Sequence, residues 1–170
     1  MGLSTKREHF TERLNPSSRR VLFIDDAVSS QFSDPNYGLD LMMRDLLAYI
    51  DPAIELEVAD TEDEAMRLLG LNQYDLVILN FRLHGTQNTP RQSLVYRYGT
   101  GKGEGGMILN ALKNDTNLCI NRDTPIIGFS HDWSKTEVRA FYNAQDLVYF
   151  SKPFPDTKQF MKIIKYYLNL

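Results

Sequence analysis

Four apolar runs in this 170-residue chain end on polar side chains of different chemistry. RVLFIDD (20–26) closes on two carboxylates, Asp25 and Asp26, and YDLVILN (74–80) closes on an amide, Asn80. TPIIGFS (124–130) closes on the hydroxyl of Ser130, and LVYFS (147–151) runs into the ammonium of Lys152, with Pro153 behind it. Brought into one cleft, these groups suit hard-metal and phosphate chemistry: oxygen ligands for Mg²⁺, with a hydroxyl and a cation for phosphoryl oxygens. Asn80 is the odd member. A carboxamide carries no charge and its nitrogen lone pair is delocalised into the carbonyl, so it is a poor nucleophile.

For these side chains to converge, the runs that carry them must be neighbouring strands pointing the same way. Each is short, β-rich and apolar, as expected of a strand buried on both faces, and IELEVA (54–59) reads as a further one. Helical spacing fills the intervals. LDLMMRDLLAYI predicts a helix with Leu39, Met42, Met43, Leu46, Leu47 and Ile50 inward, the two methionines as core. TEDEAMRLLGLN opens on the capping box of Thr61 and Glu64 and turns Ala65, Leu68 and Leu69 inward. GGMILNALKND (105–115) predicts a third helix, SKTEVRAFYNAQ (134–145) a fourth, and PDTKQFMKIIKYYLNL a final one with Phe160, Ile163, Ile164, Tyr167 and Leu168 on its inner side. Strands alternating with helices predict an α/β domain with a doubly wound parallel sheet and right-handed crossovers. Reactive groups in such sheets gather at the carboxyl ends of the strands, near the switch point of strand order, which is where all four polar endings fall.

LFIDD, DLVILN, TPIIGFS and YFSKPF resemble, in this order, four motifs of the receiver domains of two-component response regulators, over roughly residues 19 to 168. The resemblance implies a flavodoxin-like (βα)5 fold with a five-stranded sheet of order 2-1-3-4-5. It also implies transfer of a phosphoryl group from a histidine kinase onto an aspartate, with Mg²⁺. In that scheme Asp25 and Asp26 serve the metal, Ser130 binds the phosphoryl group, Lys152 bridges to it, and Tyr149 is the aromatic switch. Asn80 stands in the acceptor's place, and there the chain departs from the pattern, in the manner of a pseudo-receiver.

An amide at position 80 leaves two carboxylates facing one ammonium. Its NH₂ can donate to Asp25 or Asp26 and Lys152 can pair with one of them, so the cleft is expected to satisfy itself, with Mg²⁺ weakly held or not required and no catalytic residue. His84 stands where the family often has proline, His131 follows Ser130, and the segment 81–103 is far longer than an ordinary strand-to-helix connection. Tyr96, Arg97 and Tyr98 would give that loop contact residues. GTGKGEGG holds the formal pattern of Gly101, Gly103 and Gly106, but it neither follows a strand directly nor lies in the first unit, so it reads as a loop feeding a helix. The histidines and Cys119 have no zinc-ligand spacing.

The length suits one domain, 19–170, behind a polar extension, 1–18. A net charge of −3 gives no reason to expect nucleic-acid binding, one cysteine excludes an intrachain disulfide, and no run resembles a membrane span or a signal peptide. These features fit a cytoplasmic protein. The expected role is a phosphorylation-independent interaction module for a protein partner, a histidine kinase or another signalling protein. The expected docking surface, usable also for a homodimer, is that of the fourth helix, fifth strand and final helix, with Trp133, Phe141, Tyr142 and the KIIKYY stretch. Three alternatives stand beside it: phosphotransfer to an unusual acceptor such as Ser130 or His84, an ordinary receiver carrying an engineered Asp-to-Asn change, and a small-ligand sensor in the cleft.

Overall fold

The computed structural model describes residues 18–26, 38–80, 83, 104–130, 143, 145–152 and 156–170. Five strands form one parallel sheet in the order β2-β1-β3-β4-β5: β1 (Arg19–Ile24), β2 (Ile54–Ala59), β3 (Leu76–Leu79), β4 (Ile126–Ser130) and β5 (Val148–Ser151). The helices are α1 (Leu39–Ile50), α2 (Glu62–Leu71), α3 (Glu104–Asn114) and the final helix α4 (Thr157–Leu168), with a 3₁₀ helix at Thr116–Asn121. The expected flavodoxin-like order is therefore the observed one. The polar extension, nearly all of the 81–103 loop and the predicted helix over 134–145, with Trp133, Phe141 and Tyr142, lie outside the described residues.

Alternation along the central strands sorts the core into two layers, because successive side chains of a strand point to opposite faces. Val21, Phe23, Leu76, Ile78, Ile127 and Phe129 meet α1 and α4 through Leu39, Met43, Leu47, Phe160, Ile164 and Leu168. Leu22, Ile24, Val77, Leu79 and Ile126 meet α2, α3 and the 3₁₀ helix on the other face, through residues such as Leu69, Ile108, Leu112 and Leu118. Three aromatic contacts pin the first layer, with Phe129 and Phe160 stacked at 5.6 Å, Phe150 edge-on to Phe160 at 4.9 Å and Phe23 tilted 6.3 Å from Phe129. Such pairs add directional attraction to the burial of their area.

Local chemistry sets the helix ends. Thr61 Oγ1 accepts from the Glu64 amide at 3.3 Å, as its sequence spacing predicts, and Asp156 caps α4 by accepting from the Gln159 amide at 2.9 Å. α1 starts from Gly38, whose φ of 82° is open to glycine at little cost. One inward assignment is corrected: Met42 is 41% exposed, because on a helix whose buried stripe is Leu39, Met43 and Leu47 it falls a full 100° to one side. Leu46, Ile50, Ile163 and Tyr167 are only half-buried, at the margins of their stripes.

The amino-terminal end of the sheet carries a polar network of its own. Tyr74 donates to Glu57 at 2.6 Å, and Glu57 also pairs with Arg20, whose guanidinium lies 5.2 Å from the Tyr74 ring centroid. Burial first, and the Glu57 bond second, push the Tyr74 phenol well above the ordinary tyrosine range. Beside it Asn121, fully buried, donates to the carbonyls of Leu69 at 2.7 Å and Asn72 at 2.6 Å. Its side-chain oxygen accepts from the Tyr74 amide at 2.9 Å. One side chain thus satisfies carbonyls left over at the end of α2 while tying the 3₁₀ helix to the entry of β3.

Candidate functional site

Register brings the polar strand endings together. Ile24 pairs with Leu79 across β1 and β3, so Asp25 and Asn80 are each the next residue on adjacent strands. The ladder continues one step past the strands: the Asn80 amide donates to the Ile24 carbonyl and the Asp25 amide to the Ala59 carbonyl, both at 2.9 Å. On the far side Ser130 pairs with Ser151, and the Lys152 amide donates to the Ser130 carbonyl at 3.1 Å. Main-chain hydrogen bonds therefore hold Asp25, Asn80 and Lys152 before any side-chain contact is considered.

The side chains then close on one another. Asn80 Nδ2 donates to Asp25 Oδ1 at 3.1 Å and to Asp26 Oδ1 at 3.2 Å. Only the nitrogen of an amide can donate to carboxylates, so these two acceptors fix the orientation of the group. The Lys152 ammonium forms an ion pair with the other oxygen, Asp25 Oδ2, and both side chains are almost wholly buried. Lys152 Nζ also lies 5.5 Å from the centroid of the Phe129 ring, whose face favours a cation. Asp25 is fully buried, Ser130 is 2% exposed and Asn80 is 7% exposed, while Asp26 is half-buried at the rim.

The charge count explains the pairing. A buried carboxylate is costly unless its oxygens are met by cations or donors. With an uncharged group at position 80, Lys152 has no carboxylate there to attract it and goes to Asp25. The amide supplies the remaining donors. Both self-pairing contacts expected from the sequence are thus present in the geometry.

A divalent cation needs carboxylate lone pairs directed at a common point. Here both oxygens of Asp25 and one of Asp26 are engaged, and Asn80 presents hydrogens rather than its oxygen to them. Among the described residues no group of three or more His, Cys, Asp and Glu side chains is arranged to hold a metal ion. As arranged, these residues do not fit Mg²⁺.

Tyr149 and Ser130 are joined in a way the sequence did not reveal. The Tyr149 hydroxyl donates to the main-chain carbonyl of Ser130 at 2.7 Å, with the ring half-buried. That carbonyl also accepts from the Lys152 amide, so the end of β4 is clamped from β5 by a side chain and by the main chain. Tyr149 and Lys152, three residues apart, offered no sequence sign that they converge on one carbonyl, since the acceptor is backbone. Leu83, the one described residue between 81 and 103, is buried in the α2–α3 layer, while His84 and His131 lie outside the described residues.

No protein-family model matches the chain, and no curated protein sequence does. Solved structures do. The signal receiver domain of a DNA-binding response regulator from Colwellia psychrerythraea is similar at a TM-score of 0.64 and 16% identity, covering 90% of this chain and 100% of that one. The non-phosphorylated HemR receiver domain from Leptospira biflexa is similar at 0.60 and 19% identity, covering 90% and 96%. The receiver domain of a sensor histidine kinase from Pseudomonas aeruginosa, whose structure has a magnesium ion in the active-site cleft, is similar at 0.58 and 15% identity, covering 91% and 100%. Likeness at these identities concerns the fold, and the fold is the one receiver domains have.

Proposed function

We propose that the chain is an atypical receiver-like signal-transduction domain, cytoplasmic, that works as a phosphorylation-independent protein–protein interaction module. The observation that carries this reading is the self-satisfied cleft: Asn80 donating to both acidic side chains while Lys152 neutralises Asp25. In a phosphorylatable site the same carboxylates are needed for a metal and the same lysine for the incoming phosphoryl group. Asn80 itself lacks the anionic oxygen that attacks phosphorus. Burial of Ser130 argues against it as a substitute acceptor, because a phosphodonor must reach the hydroxyl in line. The partner in this reading is a signalling protein such as a histidine kinase, and no helix among the described residues is long and apolar enough to cross a membrane.

Intact-mass measurement after incubation with Mg²⁺ and acetyl phosphate, beside the Asn80→Asp variant, tests the reading. The expected result is no adduct on the protein and one phosphoryl adduct on the variant. An adduct on the unaltered protein, at Ser130 or any other residue, overturns the proposal and restores phosphotransfer.

A further inference from the structure

Seven large apolar side chains stand out into solvent among the described residues, and five of them lie on one side of the molecule. Leu41, Met42 and Tyr49 are 59%, 41% and 80% exposed on α1, and Tyr166 and Leu170 are 74% and 49% exposed at the end of α4. The other two, Leu71 and Ile120, belong to the elements on the opposite face of the sheet. α1 and α4 are neighbours: they touch, and they cover the same layer of the core. A concentration of apolar area on one pair of helices marks an association surface.

The charges on the two helices are opposite. α4 carries Lys158, Lys162 and Lys165 and no acid between Thr157 and Leu168, and these lysines line an open groove with Met161, Tyr166 and Leu170. α1 carries Asp40 and Asp45 against the single base Arg44, and Asp51 follows as its C-cap. A two-fold axis running along the valley between the helices sets α1 of each copy over α4 of the other, acid against base, twice. Self-complementarity of this kind is what an isologous contact requires. The charge pattern also argues against the chain's own long loop as occupant of the lysine groove, because residues 81–103 contain Arg82, Arg91, Arg97 and Lys102 and no acid.

We propose that α1 and α4 together form a homodimer interface, in which the exposed apolar side chains of α1, with Asp45 among them, pack on the basic, apolar groove of α4 in a second copy. Expectation from the sequence placed a homodimer on the fourth helix, fifth strand and final helix; the fourth helix of that surface lies outside the described residues, and the interface proposed here pairs the final helix with α1 instead. This interface does not depend on the state of the cleft, so its failure would leave the proposed function standing, and the converse holds too.

Sedimentation velocity on the full chain, at concentrations on the order of 10–100 µM where a modest side-on interface would assemble, reads the association directly. A dimer is expected, weakened by added salt. Lys162→Glu with Lys165→Glu makes both helices acidic and is expected to give a monomer; Asp45→Lys with Asp51→Asn makes both basic and is expected to do the same. Mixing the two variants in equal amounts is expected to restore a dimer, since each contact again pairs acid with base, and that recovery shows that both variants are folded. A monomer throughout overturns the proposal, as does a dimer indifferent to both charge changes. It is equally overturned by a monomer whose lysines bind phosphatidylserine vesicles or a polyglutamate peptide, which would assign the groove to a membrane or to an acidic partner.

Discussion

Lys152 and Asp25 neutralise each other where water cannot help either of them. A buried pair of this kind contributes little over an apolar pair of the same shape, yet removing one member strands the other charge. Lys152→Ala is therefore expected to destabilise the protein by about 3–5 kcal/mol, measured by chemical denaturation at neutral pH. A double change, Asp25→Asn with Lys152→Met, is expected to cost distinctly less than Lys152→Ala alone, because no charge is left unpaired. A loss for Lys152→Ala below about 1 kcal/mol, the range of solvent-exposed pairs, would mean that the contact is not buried in solution. The types of these residues and their place at strand ends were legible in the sequence, as were the donor from Asn80 and the availability of Lys152. Which carboxylate takes the lysine was not legible, because it depends on the register of β1 with β3 and on Lys152 lying against Phe129.

Elements were easiest to read where period and caps agreed. β2 falls on IELEVA as read, and α1 and α2 fall where helical spacing and the Thr61 cap put them. What escaped was the 3₁₀ helix at Thr116–Asn121: TNLCIN has no apolar period of its own, and its position is fixed by Asn121 bonding to residues some 50 positions earlier in the chain. Long-range polar contacts leave no periodic trace. The Tyr74 network at the same end of the sheet has a measurable consequence. Because the folded phenol ionises above the ordinary tyrosine range, its proton stays on when the unfolded chain's tyrosine begins to lose its own near pH 10. Unfolding then releases a proton, so this group's contribution is complete below about pH 10 and declines above it, by up to about 1.4 kcal/mol per pH unit. Tyr74→Phe is expected to make the alkaline limb of a stability–pH curve shallower, while costing about 1.5–3 kcal/mol at neutral pH for the lost bond to the Glu57 carboxylate. A limb of unchanged slope would place the alkaline loss elsewhere.

Across the whole molecule, four strand endings carrying five polar side chains drawn from residues 25 to 152 must come to one end of the sheet, and the 2-1-3-4-5 order is what lets β1, β3, β4 and β5 deliver them side by side. That order was readable from alternating strands and helices together with the four-motif resemblance. The faces were less so: Met42 shows how an apolar residue at acceptable spacing still ends up outside when three others already fill the stripe. The cleft's charge balance predicts how the fold as a whole responds to metal. Asn80→Asp would place a third carboxylate against one ammonium. Its melting temperature is expected to fall without divalent ions and to rise with millimolar Mg²⁺, whereas the unaltered protein melts at the same temperature in Mg²⁺ and in chelator. A clear Mg²⁺-dependent rise in the unaltered protein would show that Asn80 and Lys152 yield to the metal.

Lys152 is a counter-ion on a tether. A dissolved cation comes and goes with its concentration, and a site that relies on one reports the ionic state of its surroundings; a cation built into the chain has a local concentration that no change of medium can dilute. Under the function proposed here, with that position filled from within and an amide at position 80, no fast covalent or ionic input is left to time the domain. On that reading its output follows copy number: the cell adjusts the signal by making and degrading the protein, over the time needed for synthesis, and the response is graded by stoichiometry rather than thrown like a switch.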